Sequence, residues 1–189
     1  RSGMAVQAIG AFDVALWDIK ARRANLSLSK LLGSQRDSVR CYNTSGGFLH
    51  TPLDQLKVNA RASLDRGIGG IKLKVGQPDC ALDIRRVEAM RQHLGDATPI
   101  MVDANQQWDR PTAQRMCRIF EQYNLIWIEE PLDAYDYEGH AALAAQFDTP
   151  IATGEMLTSA AEHAELIRHR SADFIMPDAP RVGGITPFL

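Results

Sequence analysis

The most regular pattern in the chain is the strict alternation Gly70-Ile71-Lys72-Leu73-Lys74-Val75. Ile71, Leu73 and Val75 share one face of an extended segment and Lys72 and Lys74 the other, as in a strand with two unlike faces. Elsewhere this period of two trades places with the three-to-four-residue period of helices. Val6, Ile9, Phe12, Leu16 and Ile19 predict an amphipathic helix to about Ala24, its apolar stripe packed in a core. A short helix over 28–32 follows and stops at Gly33. Val39 to Thr44 reads as a first strand. Thr51 and Pro52 open a helix that closes at Gly67. After the lysine strand comes a helix from about Asp79 to Gly95, with Ile84, Val87 and Leu94 on its inner face. Further strands are predicted over 100–103, 125–129, 151–155 and 173–178. The helices between them carry Ala113, Met116 and Phe120, run over 137–146, and start at Ser159, which forms a capping box with Glu162.

Six strands alternating with helices specify an α/β fold with a parallel sheet. Lys74, Asp103, Glu129, Glu155 and Asp178 each end a strand, at intervals of 29, 26, 26 and 23 residues, one strand–helix unit apiece. In a closed barrel such strand ends ring a common cavity, whereas in an open sheet most would lie too far apart to cooperate. A complete barrel has eight strands and roughly 250 residues. The 189 residues therefore read as an incomplete TIM-type (β/α) barrel of about six strands. Residues 1–36 are its helical lead-in and 37–189 the partial barrel with the candidate site.

Composition narrows the class. Hydrophobic residues make up 45% and charged residues 23%, which suits a globular enzyme and excludes a disordered chain. The net charge of −2 gives no reason to expect nucleic acid or an anionic membrane as partner. Apolar runs are short and broken by charges, so no transmembrane span is predicted. Cys41, Cys80 and Cys117 are odd in number and far apart, matching neither a disulfide framework nor a zinc site and pointing to a reducing cytoplasm.

Three strand-ending carboxylates, Asp103, Glu129 and Glu155, are hard oxygen ligands of the kind magnesium takes. Taken singly, such acids cap the following helix instead. At Glu129-Glu130 only one side chain can face the cavity, and the 26-residue intervals select Glu129. Asn105 shares a face with Asp103 and is placed to hydrogen-bond a substrate oxygen. Lys72 and Lys74 repel each other, and with partial burial this lowers a lysine pKa toward that of a general base. The plainer alternative is a solvated edge strand. Asp178 either orients a histidine or braces a turn before Pro180. His93, His140, His163 and His169 fall in helical segments and are predicted at the surface. His50, in the loop after the first strand, is placed to touch a substrate.

In combination, Ile71-Lys72-Leu73-Lys74, Val102-Asp103-Ala104-Asn105, Trp127-Ile128-Glu129-Glu130-Pro131, Thr153-Gly154-Glu155 and Pro177-Asp178 resemble the mandelate racemase branch of the enolase superfamily. Three further stretches, 41–50, 103–110 and 131–136, are similar to the acid-sugar dehydratases of that branch. The resemblance implies loss of water from a six-carbon sugar diacid to a 2-keto-3-deoxy acid. Lys74 would be the base and Lys72 its pKa-lowering neighbour and a carboxylate contact. Asp103, Glu129 and Glu155 would bind Mg2+, which neutralises the enediolate formed as the proton leaves. Asp178 would pair with a histidine acting on the opposite face, and Tyr42, Thr44, Lys72, Asn105 and His50 would contact substrate. The family's N-terminal capping domain and last barrel strands, with that histidine, are expected outside this chain, which alone should be inactive. A homo-oligomer is expected. The same enediolate chemistry would also serve a racemase or epimerase of a 2-hydroxy acid. A non-catalytic metal- or sugar-acid-binding barrel is the alternative of another class, though metal binding alone does not call for two lysines.

Overall fold

A computed structural model describes residues 3–44 and 47–189; Ser45 and Gly46, inside the 41–50 motif, lie outside the described residues. In chain order the elements are α1 (Met4–Arg23), α2 (Leu28–Leu31), α3 (Leu53–Asp65), β1 (Ile71–Lys74), α4 (Cys80–Leu94), β2 (Ile100–Asp103), α5 (Arg110–Phe120), β3 (Ile128–Glu129), α6 (Tyr137–Gln146), β4 (Ile151–Thr153), α7 (Ala160–Arg168), β5 (Phe174–Ile175) and α8 (Ile185–Phe188). They fall into two compact units, Arg40–Thr153 with His169–Phe174, and Arg1–Val39 with Gly154–Arg168 and Ile175–Leu189.

The first of these, the sheet unit, is built on strands in the order β1-β2-β3-β4-β5, parallel from β1 to β4. Consecutive parallel neighbours require a crossover, supplied here by α4, α5 and α6. Leu73, Val102, Ile128 and Ile151 are fully buried beside Val87, Met90, Met116 and Phe120 from the helices, forming one core. Arg91, also buried, donates to the carbonyls of Gly95, Thr98, Tyr123 and Asn124, tying together the loops that enter β2 and β3. The predicted first strand over 39–44 shrinks to a single bridge from Asn43 to Ile71. Its ladder is confined to Cys41 and Asn43, which bond to Gly69, Gly70 and Lys72, while Val39 is exposed. Among the described residues the expected six strands are therefore five. Pro52 is the N-cap of α3, with no side-chain cap from Thr51.

In the second unit, α1 has the predicted length but buries another face. Ile9, Phe12, Leu16 and Ile19 are exposed, and the helix turns Gly10 and Ala21 inward. Gly10 allows the backbone at Pro180 to come close: a Cβ there would lie 2.9 Å from the Pro180 carbonyl oxygen. Asp13 accepts the Thr186 N–H at 3.0 Å, capping α8, and Trp17 Nε1 donates to Thr186 Oγ1. The Thr186 hydroxyl, which donates to Asp13 Oδ1, and the Thr186 N–H hold the Asp13 carboxyl below its ordinary pKa. Ser159 accepts the Glu162 N–H, while the Glu162 carboxylate reaches back to the N–H of Thr158. Among the described residues no helix is long and apolar enough to cross a membrane.

Candidate active site

Parallel register sets Lys74 opposite Asp103 and Asp103 opposite Glu129, a row at the carboxyl ends of β1, β2 and β3. Lys72 stands two residues back on the same face of β1. Lys74 Nζ donates to Asp103 Oδ2 at 2.5 Å. Lys72 Nζ donates to Glu129 Oε1 at 2.6 Å and lies 3.3 Å from Asp103 Oδ2. The second Glu129 oxygen accepts Trp127 Nε1–H at 3.0 Å. Tyr42 meets the Trp127 ring edge-on, 5.4 Å between centroids, and lies under the Lys72 ammonium. Trp127 is absent from the sequence-based candidates. Its signal is the two-residue spacing to Glu129, which puts both on one strand face.

Asp103, Glu129 and Lys72 are almost wholly buried, whereas the Lys74 side chain keeps 22% exposure. Burial alone depresses the Lys72 pKa, but the hydrogen bond to Glu129 and the charges of Asp103 and Glu129 outweigh it, and the net shift is upward. The contacts Lys72 makes are to carboxylates, which favour its charged form. Glu129 is pushed up by burial and by the Asp103 charge, against the pull of Lys72 and Trp127. Glu130 is equally buried but turns elsewhere, at φ +41°, and accepts from Gln106 Nε2.

Asn105 is half-buried just past β2, its N–H donating to Asp103 Oδ1 at 2.9 Å. Asn105 and Gln106 both have left-handed backbones, a strained conformation often found where function fixes a loop. Tyr42 and Thr44 are half-buried, and His50 is exposed and stacked on Phe48.

Glu155 and Asp178 belong to the second unit. The residue in register with Glu129 is Ala152, so Glu155 follows the row by three positions, half-buried in the turn after β4. Asp178 Oδ1 accepts the Arg181 N–H at 2.9 Å, bracing the turn around Pro180. Among the described residues no three His, Cys, Asp or Glu side chains stand together as a metal site. Within the sheet unit, however, Asp103 and Glu129 fit a hard divalent cation. They are buried oxygen donors in adjacent register whose mutual repulsion is relieved only by positive charge, supplied here by two ammonium groups.

A family model described as enolase C-terminal domain-like matches residues 55–189. The chain belongs to the enolase superfamily. The N-terminal domain model of mandelate racemase / muconate lactonizing enzyme matches residues 2–33. Of the superfamily's curated members, L-talarate/galactarate dehydratase of Salmonella typhimurium is 72% identical over 189 residues, all of this chain and 48% of that protein. The 3,6-anhydro-alpha-L-galactonate cycloisomerase of Streptomyces coelicolor is 41% identical over all of this chain and 52% of its own length. A crystal structure of L-talarate dehydratase from Polaromonas sp. JS666, complexed with Mg and L-glucarate, superposes with a TM-score of 0.95 at 84% identity, covering 100% of this chain and 53% of that one. The chain thus spans about half the length of the curated relatives it matches.

In this enolase-superfamily chain the histidines depart from the surface expectation at His140 and, less fully, at His163, which is half-buried with its Nε2 inaccessible. His140 is not a surface residue but fully buried in α6. Its Nδ1 donates to the Asp136 carbonyl at 3.0 Å, and its Nε2 has no partner among the described residues. Burial pushes its pKa down, against the charges of Asp136 and Asp133.

Proposed function

We propose that the full-length protein is a magnesium-dependent dehydratase of six-carbon sugar diacids, acting on L-talarate or galactarate to give a 2-keto-3-deoxy acid. The observation that carries this reading is the row Lys74–Asp103–Glu129 with Lys72 beside it; the 72% identity to a dehydratase of that name supports it. Asp103 and Glu129 would hold the metal, joined by Glu155 on the strength of its interval along the sequence. Bound magnesium supplies positive charge where the substrate carboxylate gains negative charge as its α-proton leaves.

Lys74, the more exposed ammonium, takes the α-proton in its neutral form. Lys72, kept cationic by its carboxylate neighbours, faces a carboxylate of the diacid. Trp127 fixes the Glu129 carboxylate, and Asn105 bonds a substrate hydroxyl. Tyr42, Thr44 and His50 complete the substrate contacts. Asp178 orients a histidine one strand–helix unit further along, whose imidazolium protonates the departing hydroxide. Residues 1–36 form the lead-in and 37–189 the barrel part, and the protein works in the cytoplasm as a homo-oligomer without nucleic-acid or membrane partners.

The test is turnover of galactarate by the full-length protein with magnesium, followed by appearance of the keto acid. Lys74→Ala should abolish it, and Glu129→Gln should sharply weaken magnesium binding measured by calorimetry. Product lacking a keto group but inverted at the α-carbon would replace the dehydratase by an epimerase. Unchanged turnover in Lys74→Ala would overturn the assignment of the base.

A further inference from the structure

The amphipathic pattern of α4 gives its polar residues to solvent, yet Asp83 and Arg86 are buried, as Arg91 is further along the helix. Asp83 is wholly inaccessible and Arg86 nearly so, three residues apart and therefore neighbours on one helix face. Asp83 Oδ2 accepts the N–H groups of Gly76 at 2.8 Å and Gln77 at 2.9 Å, and its Oδ1 accepts Gln77 Nε2. Arg86 donates through its two terminal nitrogens to the carbonyls of Thr51 at 2.7 Å and Phe48 at 2.9 Å. Burying a carboxylate and a guanidinium costs desolvation that a pair of apolar residues would avoid. Arg86 Nε bears part of that cost, with no partner among the described residues.

The loops held in this way flank Lys74. Gly76 and Gln77 follow it two and three residues later. On the other side the Lys74 N–H donates to the Gly47 carbonyl at 2.8 Å, and the chain continues through Phe48, His50 and Thr51. Both loops also approach β-strand backbone closely. A Cβ at Gly47 would lie 2.3 Å from the Lys72 carbonyl oxygen, and one at Gly76, where φ is +101°, 2.7 Å from that of Ala104. Neither loop can shift far without meeting the strands that carry the site.

We infer that Asp83 and Arg86 are positioning residues for the Lys74 site: from one helix they fasten the backbone on both sides of Lys74, so that the loop bearing His50 meets the sugar diacid in one fixed arrangement. The inference rests on the reading under Proposed function for its ligand, and on this geometry for everything else. A brace of this kind acts on substrate affinity, because the reacting groups sit on the strands and not on the braced loops.

Two conservative variants of the full-length protein test it, Asp83→Asn and Arg86→Lys. In Asp83→Asn, amide hydrogen exchange at Gly76 and Gln77 should quicken by about ten-fold. Exchange at Val75, whose N–H is bonded to the Asp103 carbonyl, should not change. In Arg86→Lys, KM for galactarate should rise by about ten-fold with kcat held within about two-fold. A loss of kcat at unchanged KM would mean a smaller folded fraction and nothing more, and would overturn the inference. So would unchanged exchange at Gly76 and Gln77. If the unsubstituted protein turns over no sugar diacid, the dehydratase reading has failed, and the exchange pattern decides alone whether the brace exists.

Discussion

Strand β1 and helix α1 carry equally regular apolar patterns and use them in opposite ways. In β1 the apolar face disappears completely, with Ile71 at 3% and Leu73 at 0% exposure, and so does Val75 just beyond the strand, at 1%. Lys72 on the polar face is buried as well, because β2 and β3 bring carboxylates to its ammonium. In α1 the apolar stripe is open, with Phe12 at 76% and Leu16 at 64%, and the inward face is built on Gly10, Asp13, Trp17 and Ala21. What separates the two is the partner each face meets. The apolar face of β1 meets a core shared with α3 and α4 and its polar face meets the carboxylates of β2 and β3, whereas α1 meets the start of α8, whose N–H groups call for an acceptor and whose approach calls for a glycine. Periodicity says which residues share a face; it does not say which face is covered.

The largest expected effect comes from breaking the charged face of β1. Lys72→Met leaves Asp103 and Glu129 buried with one cation fewer, a change that typically costs about 3–5 kcal/mol of stability. Denaturant unfolding with a chelator present would measure it. The loss should shrink as pH falls. Glu129 already has a folded pKa above its unfolded value, so the folded state binds the proton more tightly and gains on acidification. A loss under about 1 kcal/mol would mean that water reaches the pair and that the two faces of β1 are unlike after all.

A smaller effect is expected on the covered face of α1. Gly10→Val places a side chain where the Pro180 oxygen is 2.9 Å from the first carbon and the Gly183–Gly184 backbone 3.1 Å away. Overpacking of this sort costs about 1–3 kcal/mol. The unfolding midpoint should fall accordingly, and an unchanged midpoint would show that Gly10 is not in contact.

Much of the sheet unit could be read in advance, because strand, helix and turn signals agree there. The intervals between Lys74, Asp103 and Glu129 correspond to true register partners. Glu155 keeps the 26-residue interval from Glu129, yet the register partner of Glu129 is Ala152, three positions earlier, a difference no spacing reveals. The segment 39–44 carries strand-forming residues, but only Cys41 and Asn43 find ladder partners. Asp83 and Arg86 border the apolar face of α4 next to Ile84 and Val87, and charge at such a border looks solvated until the loops above it are placed. His140 was hidden for the same reason. A histidine among alanines reads as surface, and only the packing of α6 removes it from water.

His140 supplies the next test, on the sheet unit's side of the comparison. Its folded pKa lies below the unfolded value near 6.5, so in that window the unfolded chain binds the proton and the folded one does not. Stability therefore rises with pH through the window and is lost as pH drops from about 6.5. His140→Asn keeps a donor for the Asp136 carbonyl and removes the titration. Its unfolding midpoint should depend less on pH between neutrality and mild acid, and an unaltered slope would place the acid sensitivity in other groups.

The smallest expected effect is the one that bears most directly on the contrast. Phe12→Ser changes the largest side chain of the open α1 stripe, two residues from Gly10. Exposed positions away from caps and cores usually shift stability by no more than about 0.5 kcal/mol. Helix propensity adds little, since phenylalanine and serine rank together. The unfolding midpoint of the 189-residue chain should therefore stay where it is while dye binding to exposed apolar surface declines. Gly10→Val on the same helix should show the reverse, a lowered midpoint without reduced dye binding. If Phe12→Ser instead costs more than about 1 kcal/mol, the stripe is covered in solution. A loss that grew with protein concentration would then assign the cover to a second copy of the chain, and the apolar pattern of α1 would have been fulfilled between molecules.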